Sequence, residues 1–464
     1  MKADKNNLKM CYIGGGSRNW AWVFMKDLAF EKEMSGTIYL YDIDMEAARA
    51  NEQIGNELMA AHNPGAWRFV AEASLEKALT DSDFVFISIL PGDFAEMSVD
   101  VHAPEQYGLY QSVGDTVGPG GLVRSLRTIP LYEEIAEAIK KWAPDAWVLS
   151  YTNPMSVCTR TLYRIFPEIK AFGCCHEVFG TQKLLKKVID DAGIAKEKDI
   201  QREDIITRVA GINHFTWIDR ATWKDIDLLP LYTKFVEKYA ESGYEAGGDD
   251  NWLNSFFESC ERVKFDLFRR YGAIAAAGDR HLAEFCPPSW YLASPDQVKK
   301  WKFTLTPVTF RIDQREKLKA KSIAYRSGKE TFVPEHSGEE GIRQIKALLG
   351  LGNLVTNVNI PNRGQMPDLP MDAVVETNAL FCRDSVQPII CDGLPNSIRN
   401  LTIKHVLNQE GIIEAAFKRD LEAAFLVFLN DVHVQTLSRE DARKLFKEMT
   451  AKTLPDSAGY APLR

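Results

Sequence analysis

In the first half of the chain, apolar residues come in short continuous runs separated by amphipathic stretches. The runs at 10–13 and 37–41 predict strands, with a helix over about 20–30 between them. Residues 84–90 read F-V-F-I-S-I-L without interruption and are closed by Pro91-Gly92. A strand covered on both faces has this look, whereas a half-exposed strand alternates. The stretch 146–151, closed by Thr152-Asn153-Pro154, and the stretch 171–174 repeat the pattern, and 129–142 has helical spacing. Strands alternating with helices predict a parallel, doubly wound, Rossmann-like α/β domain. Ligands in such sheets collect beyond the carboxyl ends of the strands. Gly14–Ser17, Pro91–Asp93, Asn153 and Cys175-His176 all follow predicted strand ends.

From about Gln201 the alternation fades. A strand is predicted at 205–211, loops at 327–336 and 353–364, and a long helix over 401–429 with a break at Gly411. The chain is divided on this basis into a Rossmann-like domain, 8–200, and a mixed α+β domain, 201–464, expected to bind substrate and to carry self-association into a dimer or tetramer.

The first strand runs into Gly14-Gly15-Gly16-Ser17, where small residues let backbone approach a pyrophosphate and the next helix offers its N-terminal amides. The third glycine of G-x-G-x-x-G is replaced by Asn19, so the motif alone is weak. The second strand strengthens it by ending at Asp42, 28 residues past Gly14. A carboxylate there accepts ribose hydroxyls and repels a 2′-phosphate, which favours NAD; a helix N-cap is the plainer use of the same residue. Gly14, Gly16, Ser17 and Asp42 are the candidate cofactor-binding residues.

Composition narrows the class. A length of 464 residues with 45% hydrophobic and 26% charged residues is ordinary for a globular protein of two domains. A net charge of -8 gives no electrostatic reason to expect nucleic acid. No apolar run approaches the roughly 20 residues that span a bilayer, and the first residues are polar rather than leader-like. The eight cysteines are dispersed, which fits reduced thiols and a cytoplasmic enzyme.

A nucleotide fold does not explain Cys175 or His214. The two are 39 residues apart and meet only if the fold brings them together. Thiolate and imidazole suit a borderline divalent ion, Mn2+ included where substrate oxygens complete the shell. No second CxxC or HxxxH accompanies them, so the spacing is not that of a zinc site. A lone cysteine or histidine is more often a packed core residue.

Four motifs occur together and in order: Gly114-Asp115-Thr116-Val117-Gly118-Pro119-Gly120-Gly121, Asn153-Pro154-Met155, Cys175-His176-Glu177-Val178 and Gly211-Ile212-Asn213-His214. With Asn359-Ile360-Pro361-Asn362 and Val374-Val375-Glu376, they make the chain resemble the family 4 glycoside hydrolases over nearly its whole length. That family is an NAD-dependent exception among glycosidases. The resemblance implies that NAD takes a hydride from sugar C3, that a base removes the acidified C2 proton, that the glycosidic oxygen leaves C1, and that water addition and re-reduction follow. A divalent metal such as Mn2+ on the C2 and C3 oxygens would stabilise the enediolate.

By motif match, Cys175 and His214 are implied as metal ligands and Asn153 as a substrate contact. His176 is implied either as the acid assisting the leaving group or as an orienting residue, and Asp115 as a group near the base. For the base, Asp279 is the first choice, with His281 and Tyr271 as alternatives; Arg280 and Glu284 could form a structural ion pair in the same segment. Cys-His-Glu-Val resembles the α-galacturonidase group, implying terminal α-linked galacturonic acid on pectic oligosaccharides as substrate. Arg280 and Arg311 are candidates for its carboxylate. α-Glucuronidase, or α-galactosidase and α-glucosidase, are the alternatives within the family. Outside it stand an NAD-dependent hydroxy-acid dehydrogenase, because lactate and malate dehydrogenases share the nucleotide frame, and a non-catalytic NAD sensor.

Overall fold

Six parallel strands form the first half of the sheet: Leu8–Ile13, Gly36–Tyr41, Trp67–Ala71, Phe84–Ile87, Trp147–Ser150 and Lys170–Gly173. In the computed structural model, which describes residues 3–244, 259–461 and 463, their spatial order is third, second, first, fourth, fifth, sixth. That is the doubly wound dinucleotide-fold order. Alternate residues supply opposite faces. Tyr12, Phe86, Leu149 and Phe172 enter one apolar cluster, while Ile13, Ile87, Val148 and Ala171 enter the other. Burial on both sides explains the unbroken apolar runs.

The second half extends the same sheet with antiparallel strands. Leu354–Pro361 pairs with Lys170–Gly173 and with Val374–Cys382. Val374–Cys382 pairs with Ile205–Ile212, which forms a hairpin with Phe215–Trp223, followed by Ile274–Ala275. The architecture is therefore a Rossmann-like α/β half joined to a mixed α+β half, as the sequence led us to expect.

Three local expectations need correction. The predicted loop 353–364 contains the strand Leu354–Pro361, whose alternate residues Asn357 and Asn359 are polar yet buried. The helix expected from 129 begins at Gly118 and runs through Pro130 to Trp142. The long C-terminal helix breaks not at Gly411 but between Phe417 and Leu421. There Arg419 has φ 53° and the Asp420 side chain accepts the Glu422 and Ala423 N–H groups as an N-cap. Gly411 instead permits helix contact, since a β-carbon there would lie 2.9 Å from Val427 Cγ2. Among the described residues, no helix is long and apolar enough to cross a membrane.

Candidate active site

One row of residues crosses the second half of the sheet. Gly173 stands opposite Asn359, Asn359 opposite Glu376, and Glu376 opposite Gly211. This register levels two strand ends. Lys170–Gly173 runs on into Cys175, and Ile205–Ile212 runs into the turn Asn213-His214 before Phe215. His214 sits in that turn with φ 64°, a left-handed conformation that a β-carbon disfavours and that concentrates at functional sites.

Behind the turn lies a buried polar network. The Asn213 side chain lies close enough to the Cys175 thiol to favour its ionised form. Asn213 Nδ2 donates to Glu376 Oε2 at 3.3 Å. Asn357 Nδ2 donates to Glu376 Oε1 at 2.7 Å and to the Cys175 carbonyl at 3.2 Å. Burial pushes the Cys175 thiol up, and Glu376 and Glu177 push it the same way. Burial also raises Glu376 to about 7. Cys175 therefore stays a thiol until a cation displaces its proton.

In front of the turn, Asp115, His214 and His281 bring one potential ligand atom each within 4.8 Å of one another. The two imidazole rings are 3.8 Å apart at their centroids. Asp115 comes from the turn before the helix Gly118–Trp142, and His281 from the short helix Asp279–Glu284. Thr116 Oγ1 donates to Asp115 Oδ1 at 2.7 Å and lies 3.0 Å from His214 Nδ1. Having spent its one hydrogen on Asp115, the hydroxyl accepts from Nδ1–H, so the lone pair of His214 is on Nε2. His281 Nδ1 is buried without a partner.

Burial, aided by His281, lowers His214 to about 3, and burial lowers His281 as well. Both are neutral imidazoles, the form that ligates a metal or accepts a proton. Burial opposes charge on Asp115, but His281, Arg124 and His214 outweigh it and hold the carboxyl well below the usual range. Neutral imidazoles and an ionised carboxylate are a donor set that fits a divalent ion; Cys175, on the adjoining strand end, is not one of these three.

The remaining candidates occupy distinct places. Asn153 follows Trp147–Ser150, donates from Nδ2 to Asp115 Oδ2 at 3.3 Å and leaves Oδ1 buried without a partner. His176 is half exposed, with Nδ1 3.2 Å from Glu339 Oε1 and its ring 5.7 Å from that of Trp20. The Glu339 carboxylate raises its pKa against burial, which favours the protonated ring. Asp279 does not join the cluster. Its Oδ1 accepts the Lys264 N–H at 3.0 Å, near the start of the helix Arg262–Tyr271, and burial with Glu261 nearby raises it to about 7. Tyr271 packs against Trp217. Of the three residues weighed as base, only His281 faces His214.

Glu177, third in the Cys175-His176-Glu177-Val178 motif, is a site residue that the sequence does not single out. It accepts the Gly278 N–H at 2.7 Å and lies 3.8 Å from His281 Nε2. Burial opposes its charge, yet His281, His214 and His176 bring it down to about 2. Its position directly after Cys175-His176 was the available signal.

At the glycine turn, Gly14 has φ 94°, and a β-carbon there would lie 2.0 Å from Ser88 O. Asp42 Oδ2 accepts the Gly16 N–H at 2.8 Å, and Asp42 Oδ1 accepts the Asp44 N–H at 2.9 Å. Asn51, which the sequence did not single out, ties the Gly15 and Ser17 carbonyls at 2.8 and 2.9 Å. Arg18 Nε is buried beside the turn with no partner. A preformed turn with an unused guanidinium donor fits a dinucleotide pyrophosphate.

Known proteins resemble this chain in both sequence and fold. A curated protein of Thermoanaerobacter italicus named α-galacturonidase is 60% identical over 443 residues, covering 95% of each chain. A Bacillus subtilis crystal structure is 51% identical, covers 96% of this chain and 99% of its own, and superposes with a TM-score of 0.91. A 6-phospho-α-glucosidase from gut microorganisms, solved in complex with NAD and Mn2+, shares the fold at 20% identity with a TM-score of 0.81, covering 99% of this chain and 100% of its own. The family 4 glycosyl hydrolase model matches residues 9–191 and that of the family's C-terminal domain matches 209–434, so the chain belongs to the family 4 glycosyl hydrolases.

Proposed function

We propose that the protein is an α-galacturonidase that releases terminal α-linked galacturonic acid from pectic oligosaccharides, using NAD and a divalent metal such as Mn2+ as resident groups. The likeness over nearly the whole chain to a protein of that name carries the choice of sugar. When bound, NAD supplies reversible hydride transfer at sugar C3, and the metal supplies charge for the C2 and C3 oxygens.

Within that chemistry, His214 and Cys175 are the metal ligands, and Asp115 holds the Thr116–His214 hydrogen bond and the Asn153 amide. Asn153 presents Oδ1 to a sugar hydroxyl. His281 takes the C2 proton, a role its unpartnered Nδ1 supports, and His176 protonates the departing glycosidic oxygen. Gly14, Gly16, Ser17 and Arg18 cradle the dinucleotide. A division at 200/201, self-association as a dimer or tetramer and a cytoplasmic setting complete the proposal; eight free cysteines support the last.

A panel of α-linked uronides and neutral glycosides, assayed with NAD+, Mn2+ and reductant, tests the function. Galacturonide cleavage without net NADH is expected. NADH accumulating in step with product would identify a dehydrogenase instead.

Asp42→Arg is expected to weaken NAD+ binding by about 10- to 100-fold and to improve NADP+ binding, because a carboxylate that bonds ribose is exchanged for a phosphate partner. Fluorescence titration of both nucleotides measures it. Unchanged NAD+ affinity would confine Asp42 to bracing Gly16.

A further inference from the structure

Arg124 is 4% exposed, near the start of the helix Gly118–Trp142. Its Nε donates to the Asn153 carbonyl at 3.2 Å, but its Nη1 has no partner. Among the described residues it forms no ion pair. Arg127, one turn later, shows what a structural arginine looks like in this helix: both Nη atoms bond the Asp100 carboxylate and Nε bonds the Pro91 carbonyl. A buried guanidinium with an unused N–H is costly, and such a group persists where a ligand completes it. The side chains linked to it define the place. Asn153 Oδ1 is also unpartnered, and Asn153 Nδ2 reaches Asp115, which is grouped with His214 and His281.

We infer that Arg124 is a catalytic residue whose Nη1–H donates to the sugar oxygen that Asn153 Oδ1 faces, and that it stays bonded as this oxygen gains charge. The inference rests on the oxidation–elimination chemistry proposed above. In the alcohol, the hydroxyl donates to Asn153 and accepts from Arg124. With NAD+ bound as the hydride acceptor and a base for the O–H proton, the alcohol would become a carbonyl. Asn153 then loses its donor, while Arg124 keeps its acceptor. Removal of the neighbouring C–H proton pushes that electron pair into a new C=C bond and the carbonyl π pair onto the oxygen. The fixed cation is therefore worth more in the charged state than in the ground state.

The test compares wild type, Arg124→Met and Arg124→Lys as holoenzymes with saturating NAD+ and Mn2+ on an α-galacturonide. Steady-state kinetics, C2 deuterium exchange, NAD+ affinity and the thermal midpoint are measured. Arg124→Met should lower kcat by about 100- to 1,000-fold with KM within about threefold, exchange should fall in parallel, and lysine should restore about tenfold. NAD+ affinity should stay at the wild-type value. A raised KM with kcat unchanged would overturn the inference. So would an unchanged kcat per folded molecule in either variant, and if the methionine variant does not fold, the lysine variant decides on that same reading. Wild-type protein inactive on every uronide would instead overturn the proposed function, and the inference with it.

Discussion

His214→Ala is expected to lower kcat by at least about a thousandfold at saturating Mn2+ and to remove the tight metal site, since the ion supplies several kcal/mol of charge stabilisation. His214 has a setting that suits this task. It occupies a left-handed turn position, its Nδ1 is engaged by Thr116, and burial keeps it neutral. Cys175→Ser should weaken the metal as well, because a serine hydroxyl does not ionise as a thiol does when a cation arrives. Calorimetric or paramagnetic titration of Mn2+, run beside the activity assay, reads both effects. Full activity of verified metal-free enzyme in excess chelator would defeat the assignment.

The second large effect separates His281 from Asp279. His281→Asn is expected to cost about 100- to 10,000-fold in kcat, the range of a general base, with Mn2+ affinity retained. Asp279→Asn should cost less than about tenfold in kcat and should lower the thermal midpoint. The Asp279 carboxylate serves the Lys264 N–H, and replacing it disturbs the start of a helix rather than the substrate. Kinetics, melting curves and Mn2+ titration of the two variants decide. The opposite ranking would return the base to Asp279. Loss of Mn2+ affinity in His281→Asn would make His281 a third ligand.

The contrast between these residues marks how far the sequence could be read. The parallel strands were legible because burial on both faces leaves continuous apolar runs, as at Phe84–Ile87. Leu354–Pro361 was not, because Asn357 and Asn359 are buried against Glu376 and Gly173, and a polar residue turned inward looks like loop sequence. The early turns of Gly118–Trp142 were hidden in the same way. Gly120 and Gly121 are small because backbone of Asp100, Gly114 and Thr116 presses on them, not because the chain turns there. In the site, the residue types of Cys175 and His214 were evident. What places them at one level is the register Gly173–Asn359–Glu376–Gly211, a relation among four strands distant in sequence. Side-chain direction was equally out of reach. Asp279 and His281 are two residues apart, and the turn of one short helix sends them to different neighbours.

In the proposed mechanism, hydrolysis passes through a C3 ketone and loss of the C2 proton. An unactivated sugar C–H is far too weakly acidic for an imidazole, so exchange at C2 requires the ketone. Complete hydrolysis of an α-galacturonide in D2O, followed by NMR of the released galacturonic acid, tests it most directly. Deuterium is expected at C2, entering more slowly in His281→Asn. A conventional glycosidase with two carboxylates leaves C2 untouched, and product with only protium at C2 after full turnover would contradict the elimination mechanism.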